Sequence, residues 1–135
     1  MVPTPSPGTF SLLFVEDDSI VCLSIGRILA KQFPDSTIYT AENGLIGLEL
    51  FTVHTPGIVI TDINMPVMDG IEMAGRIKSM KADTKFIVLT GYSDKNYLDK
   101  FRETGFDEYM VKPVDFEKLF AAIERCRAGM ALRQE

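Results

Sequence analysis

Side chains with acid, hydroxyl and amine groups stand at the ends of four apolar segments of this chain. In chain order these groups are Glu16, Asp17 and Asp18, then Asp62, then Thr90 with Gly91, and lastly Lys112 with Pro113. Carboxylates drawn together repel each other, at a cost on the order of 4 kcal/mol for two charges about 4 Å apart at an effective dielectric near 20. A hard divalent cation relieves this repulsion, and Mg²⁺ suits two or three carboxylates with waters and a phosphate.

The amine and the hydroxyl are groups that bind an anion. Lys112 is a positive point charge that can hold an anionic oxygen, and Thr90 can donate from its hydroxyl. With a carboxylate as the nucleophile, the set could bind and accept a phosphoryl group. Thr90 alone also suits a β-rich segment, and Lys112 alone suits an exposed surface. Their joint placement on separate strand ends is what favours chemistry.

Two of the aspartates have a structural interpretation. Asp18 precedes a predicted helix and Asp69 precedes Gly70 at the start of another, so both are predicted to cap helices or shape turns. Metal binding by Asp18 is the alternative. Asp62 sits at the end of an apolar strand and is followed by an apolar residue rather than a helix start, so we expect a functional role for it.

Strand-like and helix-like segments alternate from residue 10 onward. The predicted strands are 10–15, 36–41, 57–61, 85–90 and 108–111, and the predicted helices are 19–33, 44–52, 70–80, 94–104 and 115–127. The strands are nearly continuous apolar runs, as burial on both faces requires, so a parallel sheet covered by helices on both sides is predicted. Ligands of such sheets bind beyond the carboxyl ends of the strands. Ile20, Leu23, Ile28 and Leu29 carry the helical pattern of the first helix, and Gly105 is predicted to end the fourth in a left-handed conformation.

Length and composition predict a single domain in the cytoplasm. The net charge of −5 does not favour a nucleic-acid backbone or an anionic membrane as a partner, and no apolar run reaches the roughly 20 residues that span a bilayer. Residues 1–9 are predicted to be a flexible lead-in, residues 10–128 the domain, and residues 129–135 a tail too short for an effector domain. Cys22 and Cys126 are predicted to pack as small hydrophobic side chains on helices, with a disulfide the less favoured alternative.

Several enzyme motifs are absent from the sequence. It contains no G-x-x-x-x-G-K-[ST] loop, no G-x-G-x-x-G after the first strand and no G-x-S-x-G. The only histidine, His54, is predicted to lie in a surface loop between a helix and a strand, which argues against a triad that needs histidine.

The chain resembles the receiver domain of two-component response regulators. Four motifs carry the resemblance in the family's order and spacing, LLFVEDD, ITDINMPVMDG, FIVLTGYS and YMVKP, within residues 10–127. The resemblance implies a flavodoxin-like, doubly wound α/β fold, with a five-stranded parallel sheet in the order 2-1-3-4-5 and five helices.

The resemblance also implies roles for individual residues. The implied Mg²⁺ ligands are Glu16, Asp17, Asp62 and the backbone carbonyl of Asn64. Asp62 is the implied phosphoacceptor, Thr90 the switch hydroxyl, Tyr109 the aromatic residue that turns inward on activation, Lys112 the lysine at the phosphoryl oxygens, and Pro113 the residue after a cis peptide bond. The first of the two acidic positions holds Glu16 rather than an aspartate, and this difference leaves metal binding intact. Asn64 and Tyr92 stand at positions that tune the lifetime of the phosphoryl group, and we expect Tyr92 to shield it partly from water.

The implied function is signalling. A histidine kinase or histidine phosphotransfer protein would supply the phosphoryl group, and Mg²⁺ would be the cofactor. The surface of the fourth helix, fifth strand and fifth helix would then control an output protein or an effector domain absent from this chain, and a homodimer through that surface is a further expectation. The protein would catalyse only its own phosphorylation and dephosphorylation.

Two alternative functions stay open. One is a receiver-like interaction module that works without phosphorylation, which the complete set of acidic, Thr and Lys residues argues against. The other is a Mg²⁺-dependent phosphatase with an aspartyl nucleophile, which would need a second Asp where Asn64 stands.

Overall fold

Five strands and five α-helices alternate along the part of the chain that the structure describes. The computed structural model describes residues 10–91 and 94–134, with side chains to residue 130, so the lead-in predicted for residues 1–9 and Tyr92 lie outside the described residues. The elements are β1 (Ser11–Val15), α1 (Ser19–Gln32), β2 (Thr37–Ala41), α2 (Gly44–His54), β3 (Ile58–Asp62), α3 (Gly70–Met80), β4 (Lys85–Thr90), α4 (Lys95–Thr104), β5 (Glu108–Val111) and α5 (Phe116–Gln134).

The strands form one parallel sheet in the order β2-β1-β3-β4-β5. The chain leaves β1 toward β2 on one side and returns past it to β3 on the other, so the strand order reverses between β1 and β3. There the end of β1 lies beside the end of β3, with Val15 paired to Thr61, and Asp62 pairs with Leu89 of β4. The predicted flavodoxin-like fold and strand order are confirmed.

Burial separates the three central strands from the two edge strands. β1, β3 and β4 are almost fully buried and contribute alternate side chains to two apolar clusters, one against α1 and α5 and the other against α2, α3 and α4. β2 and β5 are partly exposed along their length. The expectation of two-sided burial is wrong for these two strands, because an edge strand borders solvent and the helix layers cover it incompletely.

The first three helices begin at a polar side chain that accepts from a backbone N–H of the first turn. These N-cap residues are Asp18 before α1, Asn43 before α2 and Asp69 before α3. The capping roles predicted for Asp18 and Asp69 are therefore confirmed. Asp94 holds the same position before α4, but its side chain makes no capping hydrogen bond there.

The buried face of α1 differs from the predicted pattern. Ile20 and Leu23 are 76% and 56% exposed, whereas Cys22 and Ile25 are buried. Of the four residues that carry the predicted pattern, Leu29 is buried and Ile28 is partly buried, so the pattern holds only in the second half of the helix. Apolar residues occur on both faces of this helix, and periodicity alone cannot say which face meets the sheet. The free cysteines Cys22 and Cys126 are both buried on helices, as predicted.

Several element ends also differ from the prediction. Asp62 is the last residue of β3 rather than the residue after it. His54 ends α2 and its ring stacks on Tyr39 at 4.3 Å, so it does not lie in a loop. Gly105 has a positive φ of 101°, but its ψ of 135° is outside the left-handed helical region.

The fifth helix continues past residue 127, where the sequence predicted its end. It runs to Gln134, beyond the predicted domain boundary at residue 128. Met130 packs against the cluster under α1 and α5, and a Cβ on Gly57 would lie 2.4 Å from the Met130 methyl carbon. Among the described residues, no helix is both long enough and apolar enough to cross a membrane.

Candidate functional site

The ends of β1, β3 and β5 bring two acids and an amine together. Lys112 Nζ donates to Asp62 Oδ2 at 2.7 Å and to Glu16 Oε2 at 3.3 Å. Glu16 and Asp62 are buried, and the Lys112 side chain keeps 35% of its surface exposed. Three residues identified from separate strand ends therefore form one ion-pair network.

Backbone hydrogen bonds extend the sheet as far as these side chains. The Lys112 N–H donates to the Thr90 carbonyl at 2.7 Å, and the Glu16 N–H donates to the carbonyl of Ala41 at 3.0 Å. The Ile63 N–H donates to Asp62 Oδ1 at 2.9 Å, which fixes the orientation of that carboxylate. The peptide bond between Lys112 and Pro113 is cis. The network thus stands on sheet backbone rather than on free loops.

Asp17 completes a group of three carboxylates. One oxygen each from Glu16, Asp17 and Asp62 lies within 4.8 Å of the others, and Asp17 is exposed while the other two are buried. Hard oxygen donors with one side open to water fit a small divalent cation such as Mg²⁺, which keeps several of its waters. The Asn64 side chain instead donates to Asp94 Oδ1 at 2.7 Å. The role of the Asn64 carbonyl as a metal ligand stays a prediction.

Burial sets the charge balance of the network. Burial raises the pKa of Asp62 above its usual value, and the hydrogen bond and charge of Lys112 offset this only in part. Burial first, and then the negative charge of Asp62, raise the pKa of Glu16. Burial works to lower the pKa of Lys112, but its hydrogen bond with Asp62 and the two carboxylate charges outweigh it and raise that pKa. The two acids are therefore more easily protonated than ordinary carboxylates. A bound cation would lower their pKa values again.

Thr90 and Tyr109 line one side of a cavity of about 190 Å³ formed by β4, β5 and the start of α4. Thr90 is buried, and Tyr109 pairs with Val88, two residues before Thr90 on the same face of β4. Tyr109 is 47% exposed. Its ring contacts Phe106 edge-on and lies 5.5 Å from the Arg102 guanidinium. The inward turn of Tyr109 on activation stays a prediction.

The loop between β3 and α3 is held close to Asp62. A Cβ on Gly70 would lie 2.4 Å from the Asp62 carbonyl oxygen, so only glycine fits there. The Met68 N–H donates to the Pro66 carbonyl at 2.8 Å, which makes Val67 the centre of a three-residue turn with a φ of 72°. Glycine and a strained turn together keep this loop compact beside the acid.

Asp94, to which the sequence patterns assign no role, lies beside the site. Asp94 is buried and accepts hydrogen bonds from Asn64 Nδ2 and from the Gly91 N–H. An aspartate directly before a helix has the ordinary pattern of an N-cap, so no sequence signal distinguishes a residue that bonds to a different loop.

Comparisons with known proteins agree with this geometry. Residues 12–124 match the family model described as the response regulator receiver domain. The transcriptional regulatory protein PdtaR of Mycobacterium tuberculosis is 32% identical over 113 residues, which are 84% of this chain and 54% of PdtaR. The chain spans between a third and about half of the length of the first curated relatives it matches.

Solved structures give the same result. A response regulator receiver domain protein from Clostridium thermocellum is 28% identical, with a TM-score of 0.85 over 91% of this chain and 98% of that one. The BeF₃-activated receiver domain of DrrB is 26% identical, with a TM-score of 0.76 over 89% of this chain and 98% of that one. With the sheet order, the acidic cluster and the matched residues in agreement, this chain belongs to the response regulator receiver domain family.

Proposed function

We propose that this chain is the phosphoacceptor receiver of a two-component phosphorelay, in which Asp62 accepts a phosphoryl group from a phosphohistidine. The observation that carries the proposal is the network in which Lys112 Nζ bonds to both Asp62 and Glu16, beside the exposed carboxylate of Asp17. An oriented carboxylate, an ammonium group and a cluster of hard oxygen donors are the parts that phosphoryl transfer to an acid requires.

The chemistry assigned to these residues is one displacement at phosphorus. A carboxylate oxygen of Asp62 forms a bond to phosphorus as the P–N bond to the partner's imidazole breaks, and the imidazole leaves with the electron pair. Lys112 offers its charge to a phosphoryl oxygen from its position against Asp62 Oδ2. Glu16, Asp17 and Asp62, with the Asn64 carbonyl, would hold Mg²⁺, which supplies charge neutralisation at the phosphoryl oxygens.

The output of the reaction is a change in the surface of α4, β5 and α5. Thr90 moves toward the aspartyl phosphate, and Tyr109 turns into the cavity that both residues line. A histidine kinase or histidine phosphotransfer protein is the donor, and an output protein or an effector domain on a longer chain is the reader. We place the protein in the cytoplasm, with its catalysis limited to its own phosphorylation and dephosphorylation, and a homodimer through this surface belongs to the same proposal.

Phosphorylation by a small donor tests the proposal. We expect acetyl phosphate with Mg²⁺ to add one phosphoryl group to the wild-type protein, detected by intact mass spectrometry, and Asp62→Asn to abolish the adduct. Glu49→Gln, which removes an exposed carboxylate of α2, should be labelled like the wild type. If neither acetyl phosphate nor a phosphohistidine donor labels the wild type, the proposal is wrong.

Two other outcomes would point to the alternative functions. A partner that binds Asp62→Ala and the wild type with equal affinity, before and after treatment with beryllofluoride and Mg²⁺, would indicate an interaction module that works without phosphorylation. Turnover of an aryl phosphate ester that depends on Asp62 would indicate a phosphatase. We expect neither, and for the phosphatase the Asn64 amide, bound to Asp94, cannot exchange a proton as an acid does.

A further inference from the structure

The Asp94 carboxylate bridges the two loops that follow β3 and β4. Its Oδ1 accepts from Asn64 Nδ2 at 2.7 Å, and its Oδ2 accepts from the Gly91 N–H at 2.7 Å. Asp94 is only 8% exposed. Because β3 and β4 are neighbours in the sheet, the bridge crosses the carboxyl ends of the strands that carry Asp62 and Thr90.

Asp94 stands at the N-cap position of α4, but its side chain forms the bridge instead of capping the helix. Asp94 is the N-cap residue of α4, yet its side chain makes no capping bond, whereas the N-cap side chains of α1, α2 and α3 all do. The first N–H groups of a helix are favoured partners for such a carboxylate. The Asp94 backbone, with a φ of −97° and a ψ of 11°, is also not extended as the other three caps are, so Asp94 can use the first turn of its own helix as a second set of donors only after a backbone change.

Gly91 permits the close approach that the bridge needs. A Cβ at position 91 would lie 3.3 Å from Asp94 Oδ2, a tight contact that would displace the carboxylate. The two bonds of the bridge are charge-assisted and are formed where little water reaches the carboxylate, so they are stronger than hydrogen bonds between neutral groups. The bridge thus stabilises the present positions of both loops.

We propose that Asp94 is a latch that holds Asn64 and Gly91 in the unphosphorylated protein, opposes phosphorylation at Asp62 and is released when Asp62 is phosphorylated. This inference rests on the proposed function. A phosphoryl group on Asp62 brings negatively charged oxygens beside both loops, where they repel the Asp94 carboxylate and compete with it for N–H donors.

Release of the latch connects the site to the proposed output surface. With its backbone turned to the extended conformation of an N-cap, the freed Asp94 can cap the first turn of α4, where a negative charge is favoured by the unpaired N–H groups and the helix dipole. Charge at Asp62 then changes the interactions at one end of the helix that forms part of the output surface. The new cap compensates only in part for the two hydrogen bonds that are lost. The intact latch therefore makes phosphorylation of Asp62 less favourable.

Amide hydrogen exchange in the unphosphorylated protein tests the bridge itself. In Asp94→Ala the Gly91 N–H loses its acceptor, so we expect its exchange to be at least tenfold faster than in the wild type. Asp99→Ala removes one exposed negative charge from α4 and should leave that exchange unchanged. Equal exchange of Gly91 in the wild type and Asp94→Ala, with circular dichroism showing both folded, would refute the bridge.

Binding of beryllofluoride with Mg²⁺ tests the latch. We expect Asp94→Ala to bind at least threefold more tightly than the wild type, Asn64→Ala to bind more tightly by a smaller factor, and the double variant to bind no more tightly than Asp94→Ala alone. Gly91→Ala, which keeps the carboxylate but displaces it, should shift affinity in the same direction, and Asp99→Ala should bind as the wild type does.

The outcomes separate this inference from the proposed function. Unchanged or weaker binding by Asp94→Ala, or purely additive effects of the two substitutions, overturns the latch even where the wild type responds normally. A wild type that binds no beryllofluoride and accepts no phosphoryl group overturns the proposed function and the latch with it, while the exchange of Gly91 still decides whether the bridge exists.

Discussion

At the scale of single residues, Asp62 is a carboxylate kept in surroundings that disfavour its charge. Burial raises its pKa, and Lys112 at 2.7 Å compensates only in part. Such a group costs free energy in the folded state when it is ionised, and it binds a proton more readily when folded than when unfolded. A residue retained at such a cost is better explained by chemistry than by stability.

Asp62→Asn should therefore increase stability at neutral pH. The folded-state pKa is raised above 3.8, so the contribution of wild-type Asp62 is fully present below 3.8 and is lost as the pH rises through the folded-state value. We expect the variant to exceed the wild type by up to about 1 kcal/mol at pH 7, and the difference to disappear near pH 4. Urea denaturation at both pH values measures this, with Glu49→Gln as the control. A less stable Asp62→Asn at pH 7 would contradict it.

The local sequence pattern indicates a role for Asp62 and Lys112 but not for Asp94. Asp62 was recognisable because an acid interrupts an apolar strand, and Lys112 because it also stands at a strand end. Asp94 was not, because its pattern fits an ordinary helix cap and its partner Asn64 is 30 residues away. Contacts between loops depend on tertiary placement, which local pattern does not contain.

At the scale of elements, the central strands and the helix positions followed from pattern, but the buried face of α1 did not. Ile20 and Ile25 are the same residue type in the same helix, and hydropathy cannot rank them. Tertiary packing decides, because Ile25 lies in the buried cluster under α1 and α5 and is 7% exposed, while Ile20 points to solvent and is 76% exposed. Alternation likewise could not show that β2 and β5 lie at the edges.

Substitution of these two isoleucines should separate the faces of α1. Ile25→Ala removes buried methyl groups from the cluster under α1 and α5 and should lower the free energy of unfolding by about 2–4 kcal/mol. Ile20→Ala, the matched control, should change it by no more than about 0.5 kcal/mol, because its side chain is already in water. Denaturant titration of both variants gives the comparison. Similar losses at both positions would mean that Ile20 is buried in solution.

Replacing Val67 by glycine should relieve backbone strain in the turn that it centres. Val67 has a φ of 72° and its side chain is 76% exposed, so its Cβ causes strain without contributing packing. Removing the Cβ should relieve about 1–2 kcal/mol of backbone strain, and the flexibility of glycine in the unfolded chain should cost about 0.5–1 kcal/mol. We therefore expect Val67→Gly to raise the free energy of unfolding by about 0.5–1 kcal/mol. The same change at Val53, equally exposed but helical, should destabilise the protein. Thermal denaturation of both variants distinguishes the two signs, and a loss at Val67 would refute the strain.

At the scale of the whole molecule, the doubly wound topology concentrates charge. The reversal of strand order between β1 and β3 sets Glu16 and Asp17 beside Asp62, in a chain whose net charge is already −5. Lys112 reaches this edge from β5 and balances part of the charge. The topology thus creates a local excess of negative charge that a bound metal ion would neutralise, and the stability of the molecule should respond to that ion.

Mg²⁺ should raise the thermal midpoint of the wild-type protein. A ligand that binds only the folded state adds RT ln(1 + [L]/Kd), about 2.7 kcal/mol at a concentration 100 times the dissociation constant. The effect should shrink as the pH falls, because the pKa values of Glu16 and Asp62 are raised and protons displace the metal sooner than from ordinary carboxylates. Differential scanning fluorimetry with NaCl of equal ionic strength provides the measurement. Glu49→Gln should keep the shift and Asp62→Asn should lose most of it, whereas an equal shift in both variants would place the metal outside the acidic cluster.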